Sequence, residues 1–273
     1  MWLEVNVVEE AYNFCTTATE RLHYQIQLGC YFSTVYETVK SRYAYCDLVE
    51  DFIWNHAAPN DITNDEVHEF ITSAVKFFRT RNRRPCIYVS EKPNSLDLGH
   101  HLQEAGFVLE DREVWMFFDN EYSSNFSPTN VNIKRVNSSA TLAEFCTVLG
   151  QCFPKDYTQA IEREFRQFQV HKSVYHIVAE VNGVIEGVGS LYSANQTSVI
   201  HNMATLPDYR NRGVATNILR HLCHVSHELN DQTLLLQCEE RMEAFYAKRG
   251  FRSGLRRYGY VLNSSPQDSE EVL

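Results

Sequence analysis

One stretch near the end of the chain constrains its fold more than any other, because a strand-like run, a basic turn and an amphipathic helix follow one another directly. The turn reads Arg210-Asn211-Arg212-Gly213-Val214-Ala215. The helix prediction rests on five apolar residues that share one helical face: Val214, Ile218, Leu222, Val225 and Leu229. Gly213 and the small Ala215 let main-chain N–H groups converge at the helix start, where unpaired amides and the helix dipole both favour phosphate.

The segments around this turn predict a strand before it and a strand, a helix and a strand after it. Ser198 to Thr205 is predicted as a strand that ends at Leu206-Pro207-Asp208, since proline continues neither a ladder nor a helix there. The segments expected after the helix are a strand at Thr233 to Cys238, a helix at Met242 to Arg249 and a strand at Arg256 to Leu262.

Upstream of the turn, the sequence predicts a strand, two helices and a hairpin. The expected segments are Val131 to Val136, Thr141 to Cys152, Thr158 to Phe168, His176 to Val181 and Val184 to Tyr192. Asn182-Gly183 separates the last two of these segments. This pair suits a two-residue hairpin turn, because both positions tolerate positive φ.

Two motifs in this order resemble the signatures of the GNAT N-acetyltransferase superfamily. Residues 202–215 are similar to its acetyl-CoA signature, Gln/Arg-x-x-Gly-x-Gly/Ala, and Tyr246 with Gly250-Phe251 is similar to its second signature. The resemblance covers about residues 130 to 262. It implies an α/β (α+β) fold, with a mixed, mostly antiparallel sheet, a splayed central strand pair and flanking helices.

The resemblance also implies acetyl-CoA as co-substrate and no metal. In such a fold the pantetheine lies in the gap of the splayed pair, where it would use main-chain groups of Met203, Ala204 and Thr205. The diphosphate would contact the turn and the helix start: Arg210, Asn211, Arg212, Gly213, Val214, Ala215 and Thr216. The Thr216 hydroxyl either donates to phosphate or is an ordinary group of the helix surface.

The same resemblance implies that Tyr246 is the general acid, which protonates the departing CoA thiolate. A phenol with an unperturbed pKa of about 10 carries its proton at neutral pH and can donate it. The alternative is a core tyrosine on an amphipathic helix. Related enzymes often carry a glutamate on the strand before the turn, whereas here that strand offers His201 and Asn202. Asn202 is therefore predicted as a positioning group, and the amine is expected to lose its proton through a water held by Asn202 or His201, or through Glu240.

Three arginines near the end of the chain have two possible roles. Arg252, Arg256 and Arg257 either contact the 3′-phosphate of the coenzyme or are solvated charges. Glu239 stands where relatives carry a small polar residue that contacts pantetheine, so this contact is expected to differ.

The first 118 residues repeat the order of the last part of the chain, with a strand (Cys86 to Ser90), a helix (Leu96 to Glu104), a Gly-Phe pair and a strand (Val114 to Phe118). We interpret residues 1–118 as a degenerate, non-catalytic GNAT-like unit. Leu102 lies four positions before Gly106, where the second copy has its tyrosine. The alternative is that Gly106 and Phe107 are a common helix C-cap followed by a strand.

The polar segment Asp119 to Thr129 is predicted as a linker, residues 130–262 as the catalytic domain and residues 263–273 as a flexible tail. The linker and the tail follow from composition, whereas the extent of the catalytic domain is what the resemblance implies.

Charge and composition limit the classes of partner and the cellular location that we expect. The formal net charge of −10 argues against nucleic-acid binding and favours a cationic acceptor, such as a primary amine. The eight cysteines form no C-x-x-C pair and are expected to be reduced thiols in a cytoplasmic protein. The first ten residues lack the pattern of a cleaved leader, and no run of eighteen apolar residues predicts a membrane span.

The sequence thus predicts an N-acetyltransferase that moves an acetyl group from acetyl-CoA to a primary amine by direct attack. The acceptor is a small amine, an amino acid or a protein lysine. The alternative is a non-catalytic module that binds acyl-CoA or serves as a scaffold. A nucleotide P-loop is excluded because no Gly-Lys-Ser/Thr follows the arginines, and a covalent mechanism through Cys238 lacks a histidine placed to activate it.

Overall fold

The computed structural model describes residues 33–91, 97–118, 130–153, 155–168, 174–194 and 196–263. The contacts divide the chain into two compact units. Of the described residues, those within 33–113 and 255–263 form the first unit, and those within 114–254 form the second.

Among its described residues, the first unit contains a sheet and two α-helices. Its elements are β1 (Thr34–Glu37), β2 (Ser41–Tyr45), β3 (Ala57–Pro59), α1 (Val67–Arg79), β4 (Cys86–Ser90), α2 (Leu98–Glu104) and the first part of β5 (Phe107–Phe118). The strand order is β1-β2-β3-β4, followed by residues 255–262 of β11 (Phe251–Leu262) and by β5. β3 pairs with β4 in parallel at a single position, Ala57 opposite Ile87. The core of this unit lies between the two helices and the sheet, around Phe70, Phe78 and Leu102.

The second unit carries the turn that the sequence singled out. Its elements are β6 (Val131–Arg135), α3 (Ser139–Cys152), α4 (Lys155–Phe168), β7 (Val174–Val181), β8 (Val184–Ala194), β9 (Thr197–Thr205), α5 (Val214–Glu228), β10 (Thr233–Glu239) and α6 (Glu243–Ala247). The strand order is β5-β10-β9-β8-β7-β6. β9 and β10 are parallel, whereas the β6–β7, β7–β8 and β8–β9 pairs are antiparallel.

Local sequence explains how α5 lies against this sheet. The apolar stripe of the helix is buried as predicted from Val214 to Val225, and Leu229 is the C-cap residue. Two glycines of β8 permit the close approach, since a Cβ at Gly189 would lie 2.6 Å from Ile218 Cγ2 and one at Gly187 would lie 2.8 Å from Val214 Cγ1. Burial of each large aliphatic side chain in this interface contributes about 1.5–3 kcal/mol.

The predicted fold class is confirmed, because both units contain mixed, mostly antiparallel strands flanked by helices. The hairpin at Asn182-Gly183 forms with φ of 51° and 83° at the two positions. The helix predicted over Met242 to Arg249 is shorter, since a 3-10 turn at Glu240–Met242 precedes the five residues of α6. β5 begins at Phe107, seven residues before the predicted start.

The compact units differ from the predicted division of the sequence. Residues 255–262 of β11 belong to the first unit, where Val261 pairs with Cys86, and residues 114–118 of β5 belong to the second. Strand-forming sequence does not specify which strand it pairs with, so this exchange was not predictable. The predicted linker at residues 119–129 and residues 264–273 of the predicted tail lie outside the described residues. The domain assignment therefore stays a prediction.

In the part of the chain that the structure describes, no helix has the length and apolar character that crossing a membrane requires.

Candidate active site

The parallel strands β9 and β10 separate after four paired positions. Their pairing runs from Thr197 opposite Thr233 to Ile200 opposite Leu236, whereas both strands continue beyond this point, to Thr205 and Glu239. Within the described residues, the main-chain groups that face β10 from residue 203 to residue 205 thus lack a ladder partner there. An extended ligand can fill such a gap by forming strand-like hydrogen bonds.

A β-bulge lies in β9 at the level of this gap. Val188 pairs with Ala204 and Ser190 with His201, so that Asn202 and Met203 together oppose Gly189. Asn202 has a φ of 54°, in the left-handed region that asparagine tolerates better than most residues. The bulge twists the main chain locally.

A buried hydrogen-bond chain holds the Asn202 side chain in place. The Tyr157 hydroxyl of α4 donates to Asn202 Oδ1 at 2.9 Å, and Asn202 Nδ2 donates to Ser190 Oγ at 3.0 Å. Ser190 Oγ also lies 2.7 Å from His176 Nδ1. All four residues are at most 8% exposed, so the chain rigidifies the bulge from the side of α3 and α4.

Two buried polar atoms at the gap point to a ligand with amide or hydroxyl groups. Thr205 Oγ1, at the end of β9, and Gln237 Oε1, the first position of β10 beyond the paired segment, have no hydrogen-bond partner among the described residues. A buried polar atom without a partner costs about 1–3 kcal/mol. A pantetheine chain, which carries two amides, has the donors and acceptors that would satisfy both atoms.

The turn from β9 into α5 has the features of an anion site. Asn211 (φ 64°) and Gly213 (φ 85°) adopt left-handed conformations, and Gly213 is the N-cap residue of α5. The cap has no side-chain hydrogen bond, and the first turn contains no acidic residue. Arg210 Nε donates to the Thr205 carbonyl at 3.2 Å, which links the turn to the end of β9. The first N–H groups of α5 are therefore offered to a ligand beside two arginines.

A pocket of about 520 Å³ opens beside this helix start. One wall consists of Arg212, Gly213, Thr216, Asn217 and Arg220; the other consists of Asn130, Val131, Val181, Asn182 and Glu186. The arginine wall suits an anion. Glu186 places one carboxylate on the opposite wall.

Tyr246 lies on α6 with 7% of its surface exposed. Its ring meets those of Phe245 and Phe251 edge to face, with centroids 5.0 and 6.0 Å away. Burial raises the pKa of Tyr246 well above its usual value, and the Arg249 guanidinium opposes this shift only in part. The phenol therefore keeps its proton at neutral pH. Cys238 packs in the same core, with its sulfur 3.9 Å from Met116 Sδ.

The candidate bases differ in their surroundings. Burial lowers the pKa of His201 to about 4, so its imidazole is neutral at neutral pH and only weakly basic. Glu240 is exposed at the start of the 3-10 turn after β10. Glu239 is also exposed and forms an ion pair with Arg241, whose Nη2 donates to it at 3.0 Å.

The three late arginines do not behave alike. Arg257 is 2% exposed and belongs to the first unit, where its Nη1 lies 3.4 Å from Glu113 Oε2. Both sequence-based alternatives for Arg257, a phosphate contact and a solvated charge, are therefore wrong. Arg252 is exposed and Arg256 is partly exposed.

Sequence reasoning missed Tyr157, Ser190, His176, Gln237 and Arg249. The hairpin turn gives a register in which His176 would oppose Gly189, but an irregularity at Ala179/Glu180 moves it opposite Ser190. No sequence signal marks this shift. A signal did exist for Gln237, a polar residue within the apolar run of β10.

Comparisons with known proteins agree with this geometry. A profile described as "Acetyltransferase (GNAT) family" matches residues 142–251. A GCN5-related N-acetyltransferase from Kribbella flavida is 13% identical with a TM-score of 0.68, covering 86% of this chain and 91% of its own. A second from Sphaerobacter thermophilus is 9% identical with a TM-score of 0.62, covering 83% and 82%. A tandem GNAT protein from the clavulanic acid biosynthesis pathway is 15% identical with a TM-score of 0.56, covering 82% and 79%. No curated protein matches in sequence.

Proposed function

We propose that this chain, which belongs to the GNAT acetyltransferase superfamily, transfers an acetyl group from acetyl-CoA to a primary amine. The observation that carries the proposal lies in the second unit. There, the gap between β9 and β10 leads directly into an uncapped helix start with arginines beside it. This continuity fits a ligand that has a chain of amides at one end and a diphosphate at the other.

The diphosphate would bind at the start of α5. Main-chain N–H groups behind Gly213 donate to its oxygens, and Arg210 and Arg212 add positive charge. The absence of an acidic residue in the first turn of this helix removes a source of repulsion. Together these groups account for the anionic part of CoA.

The pantetheine would lie in the gap and the thioester at the bulge. Main-chain groups of Met203, Ala204 and Thr205 pair with the pantetheine amides in the manner of an added strand. A main-chain N–H near the bulge donates to the thioester carbonyl, where negative charge develops during attack. The hydrogen-bond chain through Asn202 keeps that part of the strand rigid, so little reorganisation is needed when the charge appears.

In the reaction, the amine lone pair forms a C–N bond to the carbonyl carbon, and the electrons of the C–S bond move to sulfur. The Tyr246 hydroxyl donates its proton to this sulfur, and the resulting phenolate regains a proton from water. The proton that the amine nitrogen loses balances the one taken up by the thiol. The phenol is protonated at neutral pH, as this role requires, whereas its raised pKa makes it a weaker acid than an ordinary tyrosine.

The acceptor amine must arrive uncharged or lose a proton near the site. His201 is neutral and can accept a hydrogen bond from the amine or from a water, whereas its low pKa makes it a poor base. The acceptor is a small amine, an amino acid or a protein lysine. The net charge of −10 favours a cationic acceptor over nucleic acid or a membrane surface. The described cysteines are all free thiols, which suits a cytoplasmic location.

One observation favours a second candidate, a module that binds acyl-CoA without catalysis. Tyr246 packs within the main core cluster of the second unit, as a structural tyrosine would. A module of this kind would bind CoA but release no thiol from acetyl-CoA.

Two measurements test the proposal. Calorimetry with the full chain should detect binding of CoA, and a thiol-reactive dye should detect CoA release from acetyl-CoA in the presence of a panel of primary amines. Binding without release for any amine would favour the non-catalytic module, and no heat with any CoA species would contradict both candidates.

A further inference from the structure

Arg249 connects α6, which carries Tyr246, to α5, which starts at the turn around Gly213. Its Nε donates to Thr216 Oγ1 at 3.0 Å, and its Nη1 donates to the Phe245 carbonyl at 2.6 Å. The guanidinium also lies over the Phe245 ring, with Cζ 3.6 Å from the centroid. Contacts to three groups hold both the position and the plane of this cation.

The contact with Arg249 determines what the Thr216 hydroxyl can do. A hydroxyl both donates and accepts, whereas a guanidinium has only donors. Thr216 Oγ1 therefore accepts from Arg249, and its own proton must go to another partner. Thr216 lies in the first turn of α5 and lines the 520 Å³ pocket beside Gly213. A ligand in that pocket is thus offered a donor, which suits a phosphate oxygen, since ionised phosphate oxygens only accept.

We infer that Arg249 is a positioning residue for the diphosphate of the coenzyme, acting through the Thr216 hydroxyl. The inference rests on the proposed function, because it requires CoA as the ligand. Arg249 strengthens binding in two ways: it polarises the Thr216 hydroxyl, and it places a fixed positive charge behind it.

The same residue ties phosphate binding to the catalytic helix. The Arg249 N–H donates to the carbonyl of Tyr246 at 2.8 Å, so the backbone that carries the phenol and the side chain that supports the phosphate turn meet in one residue. A bound diphosphate fixes Thr216 and, through Arg249, the end of α6. An acyl thioester that lacks the diphosphate gains nothing from this connection.

This difference defines the experiment, which compares acetyl-CoA with S-acetylpantetheine, the same thioester without the nucleotide. In Arg249→Gln, we expect the KM for acetyl-CoA to rise about tenfold, as for the loss of one charge-assisted contact. The KM for S-acetylpantetheine should change less than about twofold. Thr216→Val should reproduce this pattern, and the double variant should be no worse than the single ones, because both substitutions remove one connected interaction.

Lys248→Gln is the matched control, because it removes the same charge from the neighbouring residue, whose side chain is exposed. We expect its KM for both thioesters to stay within about twofold of the wild type, as is usual for an exposed charge. Arg249→Lys keeps the charge but loses the paired donors, and it should recover only part of the acetyl-CoA affinity.

Three results would overturn the inference. The first is an equal rise in the KM for both thioesters in Arg249→Gln, which would indicate that the residue only supports packing of Phe245. The second is an unchanged KM for acetyl-CoA in Thr216→Val, a variant that keeps the guanidinium in place and remains informative if Arg249→Gln fails to fold. The third is additivity of the two substitutions. Calorimetry with CoA distinguishes failure of the proposed function from failure of this inference. If the wild type binds CoA without turnover, catalysis is contradicted, and the same variants test this inference through their Kd for CoA. If the wild type does not bind CoA, both proposals are contradicted.

Discussion

Residues 57–118 and residues 197–262 use the same succession of elements, yet within the described part of these two regions the long helices begin with different charge. β3-α1-β4-α2-β5 and β9-α5-β10-α6-β11 share the order strand, helix, strand, helix, strand. In both, a glycine with positive φ, Gly106 (84°) or Gly250 (90°), precedes a buried phenylalanine. The two regions therefore share a scaffold.

The difference is clearest where the long helices begin. At the start of α1, the Glu66 carboxylate accepts from the Thr63 N–H at 2.8 Å and from the Thr63 hydroxyl at 3.0 Å. The Thr63 N–H and then Lys40 lower the pKa of Glu66, so the carboxylate is charged. Negative charge from the protein itself therefore occupies the place where α5 has Gly213 and arginines. An acidic N-cap residue, Glu66, and an acidic residue in the first turn, Glu69, disfavour phosphate at the start of α1, whereas the first turn of α5 contains no acidic residue.

The polar groups buried in the two units also differ in kind. In the first unit, Arg257 lies against Glu113, His56 and the Tyr88 ring, with Arg257 Nη2 3.4 Å from His56 Nε2 and its Cζ 4.5 Å from the Tyr88 centroid. Burial lowers the pKa of His56 to about 3, so the imidazole is neutral. In the second unit, the buried chain from Tyr157 to His176 is made of groups without an ion pair between them. The first arrangement stabilises a closed interior, and the second supports a strand beside a gap.

The largest effect is expected from breaking the ion pair between Glu113 and Arg257 in the first unit. Glu113→Gln leaves the Arg257 charge buried without its carboxylate, and we expect about 3 kcal/mol lower free energy of unfolding, measured by chemical denaturation. Glu113→Leu combined with Arg257→Met should recover most of this loss. CoA binding by the second unit should persist in every variant that remains folded; loss of binding in a folded variant would contradict the separation of roles.

The second-largest effect is expected from removing the Tyr246 hydroxyl, a group that Leu102, the corresponding residue of the first unit, does not have. Tyr246→Phe keeps the ring in its core and removes only the proton donor, so kcat should fall about 100-fold, as is typical for loss of a general acid. The Kd for CoA and the melting temperature should stay close to the wild-type values. An unchanged kcat would assign Tyr246 to packing.

A third variant gives α5 the acidic start that α1 has. Gly213→Asp introduces a carboxylate where the diphosphate is expected, and we expect CoA to bind about 30-fold more weakly, corresponding to about 2 kcal/mol of repulsion. Gly213→Asn is the matched control, because asparagine has the same shape and tolerates positive φ. Equal Kd values for the two variants in calorimetry would contradict the anion site.

The smallest effect concerns the bulge. Asn202→Gly keeps the left-handed backbone and removes the side chain, so kcat should fall about fivefold through loss of rigidity. Asn202→Ala also strains the backbone and should lower kcat further. Steady-state kinetics with acetyl-CoA separates the two contributions, and a glycine variant as active as the wild type would show that only the backbone conformation matters.

Local patterns predicted much of this molecule because they act over a few residues. The apolar stripe of α5, the proline turn before it and the positive-φ pair at Asn182-Gly183 are each determined by neighbours in sequence. The helix predicted over Met242 to Arg249 forms only over Glu243–Ala247, since so short a helix depends on packing more than on propensity.

Contacts between groups far apart in the sequence could not be predicted from local patterns. Ser190 meets His176 because a register irregularity at Ala179/Glu180 shifts the hairpin by one residue. Arg249 meets Thr216 across a separation of 33 residues. Such contacts depend on where strands and helices are placed, and no local pattern encodes that placement.

The sequence by itself determined the order of elements, the basic turn at Gly213 and the position of Tyr246 on the helix that follows β10. Only the tertiary structure decided that β9 and β10 part after Ile200, that Arg257 is buried against Glu113, and that Arg249 donates to Thr216. The physical reason is one of range: φ preferences and helical periodicity act between near neighbours, whereas strand pairing, burial and charge pairing are fixed by residues far apart in the chain.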